Sequence, residues 1–236
     1  MLLAIDKPHG WTSYDCIRYI KHKFPKQKIW HAGTLDPYAT GLLIVAIGHD
    51  TKKLNYRLTQ HKTYQAMIDL SQSSDTRDLQ YWSLHHQYKV DEWSIIKNGK
   101  KIAWPNIKTL QSALQALVPQ YSMAVPAFSA KKIKWTHSYD LARSGTLITQ
   151  NKIMIFDKIQ IMDYTFPLLQ LEVTVWSGTY IRSLAYRIWQ HYGLWGILTN
   201  LRRLSIGPIT LPTINTYGDN KLFIGEIVMS DISIYL

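Results

Sequence analysis

Cysteine is almost absent from the 236-residue sequence, and Cys16 is the only one. A single thiol excludes an internal disulfide bond and any zinc site built from several cysteines. Cys16 lies beside Ile17 and Ile20 in a predicted helix. That position favours a buried thiol over a reactive nucleophile.

Several catalytic motifs are also missing. The sequence has no Gly-rich phosphate loop ending in Gly-Lys-Ser/Thr, no His-Glu-x-x-His or EF-hand spacing, and no Gly-x-Ser-x-Gly elbow. These absences argue against nucleotide hydrolysis, metal-dependent hydrolysis and serine-hydrolase chemistry. No apolar run approaches the roughly 20 residues of a membrane helix, and residues 1–6 do not resemble a signal peptide. We therefore expect a soluble, cytoplasmic protein.

Acidic residues are few compared with basic ones. The chain has 27 Lys and Arg against 16 Asp and Glu, a net charge of +11. Such an excess favours a polyanionic partner such as nucleic acid, although an inert basic surface is the alternative. The 9 Trp and 15 Tyr include rings that could stack on unpaired bases, while most of them are expected in the core.

Hydrophobic periodicity predicts an α+β fold on a mixed sheet. Strands are predicted at residues 2–5, 42–47, 63–70, 152–162 and 168–176. Helices are predicted from a Thr12 or Ser13 cap to Pro25, from Asn106 to Pro119, over 138–145, and over 178–191. A loop is expected from His31 to Pro37, and residues 79–104 give no clear pattern.

Two loops contain residues that could carry chemistry. Gly33-Thr34-Leu35-Asp36-Pro37 precedes an apolar strand, and loops at strand ends are common catalytic positions. From spacing alone, however, Asp36 is better explained as a turn cap. The second loop ends with Arg182 in a first helical turn, where it could pair with a carboxylate and keep it ionised. A surface phosphate contact or an ordinary ion pair explains Arg182 equally well.

A series of motifs runs along the chain between about residues 4 and 210. These segments are Asp6-Lys7-Pro8-His9-Gly10-Trp11-Thr12-Ser13, residues 31–41, residues 48–52, Lys62-Thr63-Tyr64, Asp75-Thr76-Arg77-Asp78, residues 125–132, residues 139–143, residues 177–184 and Leu201-Arg202-Arg203-Leu204. Taken together and in this order, they resemble the motifs of the TruB family of tRNA pseudouridine synthases.

The resemblance implies a fold and a set of catalytic residues. The fold is a mixed, mainly antiparallel sheet flanked by helices and loops. Asp36 is implied as the nucleophile; it would stabilise or bond to C1′ of the sugar, or assist removal of a 2′ proton. Tyr64 is implied to pack against the target base and to move a proton, or only to stack. Arg182 is implied to pair with Asp36, and no metal or redox cofactor is required.

Further residues are implied in RNA binding. His31 matches a histidine near the space that the flipped base vacates, Leu201 matches an apolar wall of the uracil pocket, and Lys7 and Pro8 match support for that pocket. Candidate phosphate contacts are Lys52, Lys131, Lys132, Arg143, Arg202 and Arg203.

The sequence departs from the family pattern at several places, and one of them is Ser71, which replaces a usual Gly. Trp30 stands where the family usually has Gly before the histidine, so the ring could change loop packing or RNA entry. Residues 211–236 are too few for the small C-terminal RNA-binding domain of the PUA type that bacterial members commonly add. We therefore expect residues 1–236 to form a single catalytic domain with a short tail.

Three functions remain to be compared. The leading one is pseudouridine formation at position 55 in the T-loop of tRNA, by a protein that is a monomer and binds the T-arm. The same chemistry on another RNA is the second. The third is an RNA-folding chaperone without catalysis, although a pure binder would not need Asp36, Tyr64 and Arg182 together.

Overall fold

A computed structural model describes most of the chain. The described residues are 1–54, 60–71, 89–91, 94–97, 100–103, 105–126, 132–133, 136–137, 150–192, 196–211 and 223–226. The chain forms two structural units. Unit 1 contains residues 1–65 and 200–236, and unit 2 contains residues 66–199. Two strands, residues 62–69 and residues 197–206, each contribute to both units.

The described elements follow one another along the chain as strands, three α-helices and one 3-10 helix. In chain order they are β1 (Leu2–Lys7), α1 (Ser13–Lys23), β2 (Ile29–Ala32), β3 (Thr40–Ile47), the 3-10 helix Gly48–Lys53, β4 (Lys62–Asp69), β5 (Lys89–Asp91), β6 (Ser94–Lys97), β7 (Lys100–Ala103), α2 (Ile107–Gln115), β8 (Gln120–Ala124), β9 (Lys132–Ile133), β10 (Thr136–His137), β11 (Asn151–Thr165), β12 (Leu168–Val175), α3 (Ile181–Tyr192), β13 (Ile197–Ile206), β14 (Ile209–Thr210) and β15 (Phe223–Glu226).

The sheet of unit 1 is built around β3. Strand β1 pairs antiparallel with β3 on one side and with β15 on the other, and β2 also pairs antiparallel with β3. The end of β13 runs parallel to the start of β3, with Arg202 opposite Thr40 and Arg203 opposite Gly41. Because both faces of β3 are covered, its residues from Gly41 to Ile47 are all buried, as its continuous apolar sequence predicts.

Helix α1 covers one face of this sheet. Thr12 caps it through a capping box: the Thr12 hydroxyl accepts from the Asp15 backbone N–H, and the Asp15 carboxylate accepts from the Thr12 N–H. The Thr12 hydroxyl also donates to the Asp15 carboxylate at 2.6 Å, and this bond, with that from the Thr12 N–H, lowers the pKa of Asp15. Cys16, Ile17 and Ile20 pack against Ile5 and other apolar residues of the sheet. Burial raises the pKa of the Cys16 thiol to about 11, which confirms the buried, unreactive cysteine.

Unit 2 contains the long antiparallel pair β11–β12, with β8 on the outer side of β11 and β4 next to β12. The inward residues of β12 alternate as predicted, since Leu169, Leu171, Val173 and Val175 are buried. Asn106 caps α2 by accepting from the Thr109 N–H at 2.9 Å. A separate three-stranded antiparallel sheet is formed by β5, β6 and β7.

Most of the sequence-based assignments are confirmed, and the α+β prediction with a mainly antiparallel sheet is confirmed as well. One assignment was wrong, because His31 lies in strand β2 and not in a loop. Residues 89–91, 94–97 and 100–103 form short strands in the stretch for which no clear pattern was found. The predicted helix over 138–145 lies outside the described residues. No helix in the described part of the chain is long and apolar enough to cross a membrane.

Candidate active site

The loop that carries Asp36 connects β2 to β3 in unit 1. Gly33 opens it with φ +70°, a left-handed conformation that favours glycine. The Ala39 N–H donates to the Asp36 backbone carbonyl at 3.0 Å and closes a turn, as the Asp-Pro pair predicts. Leu35 and Ala39 are buried while Asp36 is half-buried between them. The loop is therefore fixed on both sides of the carboxylate.

Ser13 fixes the residue before Asp36. Its hydroxyl accepts from the Leu35 N–H at 2.9 Å and donates to the Leu35 carbonyl at 3.2 Å, and the side chain is only 2% exposed. Both backbone groups of Leu35 are thus satisfied in a buried place by one side chain. From the sequence, Ser13 is only an alternative helix cap, a role that Thr12 has in the structure.

Lys7 fixes the residue after Asp36. Its ammonium group is wholly buried and donates to the carbonyls of Pro8, Trp11 and Pro37, at 3.0, 2.5 and 3.2 Å. The Gly10 N–H donates to the same Pro37 carbonyl at 2.8 Å. Burial lowers the pKa of Lys7 to about 8, while the Asp36 carboxylate opposes that shift. The predicted support from Lys7 and Pro8 therefore lies directly against the Asp36 loop.

Arg203 holds the start of the loop against the sheet. Its Nε donates to the Leu42 carbonyl at 2.6 Å, and its Nη2 donates to the Gly33 carbonyl at 2.9 Å. The side chain is 1% exposed. This burial leaves no room for the phosphate contact that we expected of Arg203, and its guanidinium instead binds two backbone carbonyls of unit 1. Strand alternation explains the difference from Arg202, because neighbouring side chains point to opposite faces.

Lys62 lies beside the same glycine. A Cβ added to Gly33 would lie 3.3 Å from Arg203 Nη1 and 3.5 Å from Lys62 Cε. Lys62 is 6% exposed, and its ammonium donates to the Gln60 carbonyl at 2.8 Å. Burial first, and the Arg203 charge second, lower the pKa of Lys62 to about 8. Lys7, Lys62 and Arg203 thus form a group of buried cations around the loop, which we call the cation cluster.

His31 lies next to this cluster. Burial and the Arg203 charge lower its pKa, so the imidazole is neutral at pH 7. Its Nδ1 is buried without a hydrogen-bond partner among the described residues. The ring of Trp30 stacks on it with 5.8 Å between ring centroids and 9° between ring planes.

Two further predicted site residues belong to strands of the same unit. Tyr64 is 8% exposed and follows Lys62 on the inward face of β4. Leu201 is buried and precedes Arg203 on the inward face of β13. Unit 1 therefore contains Asp36 and Tyr64, and it contains the predicted apolar wall Leu201.

Arg182 belongs to unit 2, at the first turn of α3 as predicted. It is 6% exposed, so a freely solvated surface contact is excluded. The loop before it begins with Gly178 at φ +82°, whose carbonyl accepts from the exposed Lys152 ammonium at 3.0 Å. The Thr179 hydroxyl lies 3.3 Å from both the N–H and the carbonyl of Ile155.

The predicted phosphate contacts have different surroundings. Lys52 is exposed on the 3-10 helix. Arg202 forms a two-pronged ion pair with Asp6, at 3.0 and 2.6 Å, and its side chain is 38% exposed. Lys132 lies in β9, and Lys131 and Arg143 lie outside the described residues. Among the described residues, no three His, Cys, Asp or Glu side chains are grouped so that they could hold a metal ion.

The sequence of this chain matches known pseudouridine synthases over most of its length. The family model described as TruB family pseudouridylate synthase, N terminal domain, matches residues 21–181. The chain belongs to the TruB family. It is 33% identical to the tRNA pseudouridine synthase B of Chlamydia pneumoniae over 211 residues, covering 89% of this chain and 84% of that protein. It is 36% identical to the protein of the same name from Gloeothece citriformis, covering 85% of this chain and 62% of that one.

Solved structures show the same fold at lower sequence identity. A Cbf5-Nop10-Gar1 complex matches 89% of this chain with a TM-score of 0.65 and 22% identity. An H/ACA ribonucleoprotein bound to a substrate RNA containing 2′-deoxyuridine matches with a TM-score of 0.61 and 20% identity. This TruB-family chain spans about half the length of the matched chains, 49% and 48% respectively.

Sequence reasoning missed the roles of three residues around Asp36. Ser13 and Lys62 were not among the candidate site residues, and Arg203 was assigned to phosphate. The available signal was their position within the family motifs. Ser13 follows Thr12, Lys62 lies two residues before Tyr64, and Arg203 lies two residues after Leu201. The period of two in β4 and β13 also places Lys62 and Arg203 on the buried faces, where a charge needs a structural reason.

Proposed function

We propose that this TruB-family chain converts uridine to pseudouridine at position 55 in the T-loop of tRNA. The relatives named tRNA pseudouridine synthase B support the reaction class and the RNA class. The observation that carries the proposal is the Asp36 loop, where a half-buried carboxylate follows a glycine in a turn whose backbone is held by Ser13, Lys7 and Arg203. A reacting group in a fixed loop needs little reorganisation when the substrate arrives.

The reaction rearranges one bond to the sugar. The C1′–N1 bond of uridine breaks, the uracil turns, and a C1′–C5 bond forms, while C5 gives up a proton and N1 takes one. Asp36 either stabilises or bonds to the electron-poor C1′ or assists loss of a 2′ proton. No redox change occurs, so the proposed chemistry requires no redox cofactor, and the family resemblance implies no metal.

The other roles divide between base and carboxylate. We assign Tyr64 to packing against the flipped uracil and to moving a proton, and Leu201 to the apolar wall beside the ring. Lys7 places a positive charge near Asp36. The role of Arg182 as a partner of the catalytic carboxylate rests on the family resemblance.

RNA binding is proposed for the basic residues of the predicted set other than Arg203. Lys52 and the lysines and arginines at 131, 132, 143 and 202 are candidate phosphate contacts, and Arg203 is reassigned to holding the loop. Because phosphate contacts release counterions, affinity should fall as salt rises. We further propose a monomeric cytoplasmic enzyme that works on the T-arm with residues 1–236 as a single catalytic domain.

Pseudouridine mapping in total RNA from cells with and without this protein tests the function. The proposal expects one lost modification, at position 55 of tRNAs, and its return when the wild-type chain is supplied. Loss at a different RNA position would favour the same chemistry on another substrate. An unchanged map would favour the chaperone and would reject catalysis.

A further inference from the structure

Trp30 is the largest apolar side chain that unit 1 leaves open to solvent in its described residues. Trp30 is 57% exposed, although Ile29 and Ala32 of the same strand are buried. Trp is usually buried on average, and an exposed tryptophan that packs on a second ring is typical of a binding surface. The position therefore calls for an explanation beyond folding.

The ring is held in a defined orientation. It lies almost parallel to the imidazole of His31, and His31 is itself fixed by pairing with Val45 of β3 and by burial. Offset stacking of this kind stabilises aromatic pairs by about 0.5–1.5 kcal/mol. A ring oriented in advance loses little conformational entropy when another flat group stacks on it.

The chain that leads to Trp30 is rich in lysine. The segment from Lys21 to Lys28 leads into β2 and contains four lysines and no acidic residue. All four lysines are exposed, and the 3-10 helix with the exposed Lys52 contacts β2. Lysines beside an exposed aromatic ring match the two halves of a nucleotide, because the cations attract the phosphate and the ring stacks on the base.

We propose that Trp30 is a stacking platform for an unpaired base of the RNA substrate, beside the loop that carries Asp36. This inference rests on the proposed function for the identity of the RNA but not for the stacking itself. Base–aromatic stacking contributes about 1–3 kcal/mol per base. The neighbouring lysines would hold the adjoining phosphates.

Affinity for a T-arm hairpin RNA tests the platform. Trp30→Ala should weaken the dissociation constant about 5- to 150-fold, the equivalent of one stacked base. Trp30→Phe should recover part of the loss, and Tyr14→Ala is the matched control because Tyr14 is also 57% exposed in unit 1. The control should change affinity less than about twofold. Equal losses for Trp30→Ala and Tyr14→Ala would overturn the proposal.

Salt dependence and abasic RNA separate stacking from charge. Trp30→Ala should leave the slope of log affinity against log salt unchanged, whereas Lys28→Gln should reduce it by about one unit. Hairpins with a single abasic nucleotide at each unpaired position should include one for which Trp30→Ala causes no further loss. A loss that persists with every abasic hairpin would overturn the proposal and would favour a protein or structural role for the ring.

The same RNA tests the proposed reaction and the stacking by Trp30 separately. Pseudouridine formation by the wild-type chain is measured on the unmodified hairpin in parallel with binding. If no product forms while the Trp30 pattern holds, the proposed reaction fails and the platform stands. If product forms while Trp30→Ala binds as the wild type does, the platform fails and the reaction stands.

Discussion

Two loops of this chain begin with the same Gly-Thr pair and are held in different ways. Gly33-Thr34 opens the loop with Asp36, and Gly178-Thr179 opens the loop before Arg182, each with a glycine at positive φ. Buried groups hold the first loop, namely Ser13 and the cation cluster. The second is held by the exposed Lys152 and by a threonine hydroxyl. The first loop is thus held by buried side chains, which suits the role proposed for Asp36.

Removing Arg203 should damage the first loop most. Arg203→Met leaves the carbonyls of Gly33 and Leu42 without their donors in a buried place, which should cost about 3 kcal/mol or more in the free energy of unfolding. Arg202→Met is the matched control. It loses a partly exposed pair with Asp6 and should cost about 1 kcal/mol or less. Urea unfolding measures both, and similar losses would contradict the structural role of Arg203.

Removing a hydroxyl should affect the two loops unequally. Ser13→Ala leaves the buried Leu35 N–H unpaired, with an expected cost of about 1–3 kcal/mol and a lower kcat because Asp36 is less well held. Thr179→Val removes a hydroxyl at the exposed loop and should cost about 0.5 kcal/mol or less. Thermal unfolding and single-turnover kinetics measure the two effects. A Thr179 effect as large as that of Ser13 would end the distinction between the loops.

Adding a methyl group to each glycine compares the space around the loops. Both Gly33→Ala and Gly178→Ala force alanine into the left-handed region, at about 1–2 kcal/mol. At Gly33 the methyl group also crowds the buried Arg203 and Lys62, whereas at Gly178 it meets only the flexible end of Lys152. We expect the free energy of unfolding, measured in urea, to be about 1 kcal/mol lower for Gly33→Ala than for Gly178→Ala. The reverse order would show that the first loop can adjust.

A buried and an exposed lysine should also differ in their effect on the pH dependence of stability. Lys62 has a folded pKa of about 8 against an ordinary 10.5, so between these values the folded protein binds fewer protons than the unfolded chain. Stability from this group therefore rises as pH increases from about 8 to 10.5. Lys62→Met should flatten that rise, while Lys152→Met should not. Parallel unfolding curves for wild type and Lys62→Met across this range would contradict the burial of a titrating lysine.

Local patterns in the sequence were sufficient for the regular elements. The period of two identified β4 and β12, and the cap candidates Thr12 and Ser13 marked the start of α1. They were insufficient for β2, because four residues with both polar and apolar side chains give no period and the strand exists through its pairing with β3. The strands between residues 89 and 103 are equally short.

The candidate site was predicted in part. Family motifs identified Asp36, but no motif reveals that Arg203 binds backbone carbonyls far away in the sequence, because that contact depends on β13 pairing with β3. The same limit applies to Ser13, whose partner Leu35 is brought near it by the fold. Long-range contacts of side chains to backbone have no local signature.

The central claim is that Asp36 performs the chemistry from a fixed loop. Single-turnover kinetics of Asp36→Asn with a T-arm RNA test it most directly, alongside the dissociation constant for the same RNA and the unfolding midpoint. We predict that Asp36→Asn forms no detectable pseudouridine, binds the T-arm RNA within about twofold of the wild-type affinity, and keeps the wild-type fold. Pseudouridine formation by Asp36→Asn at a rate near that of the wild type would contradict it.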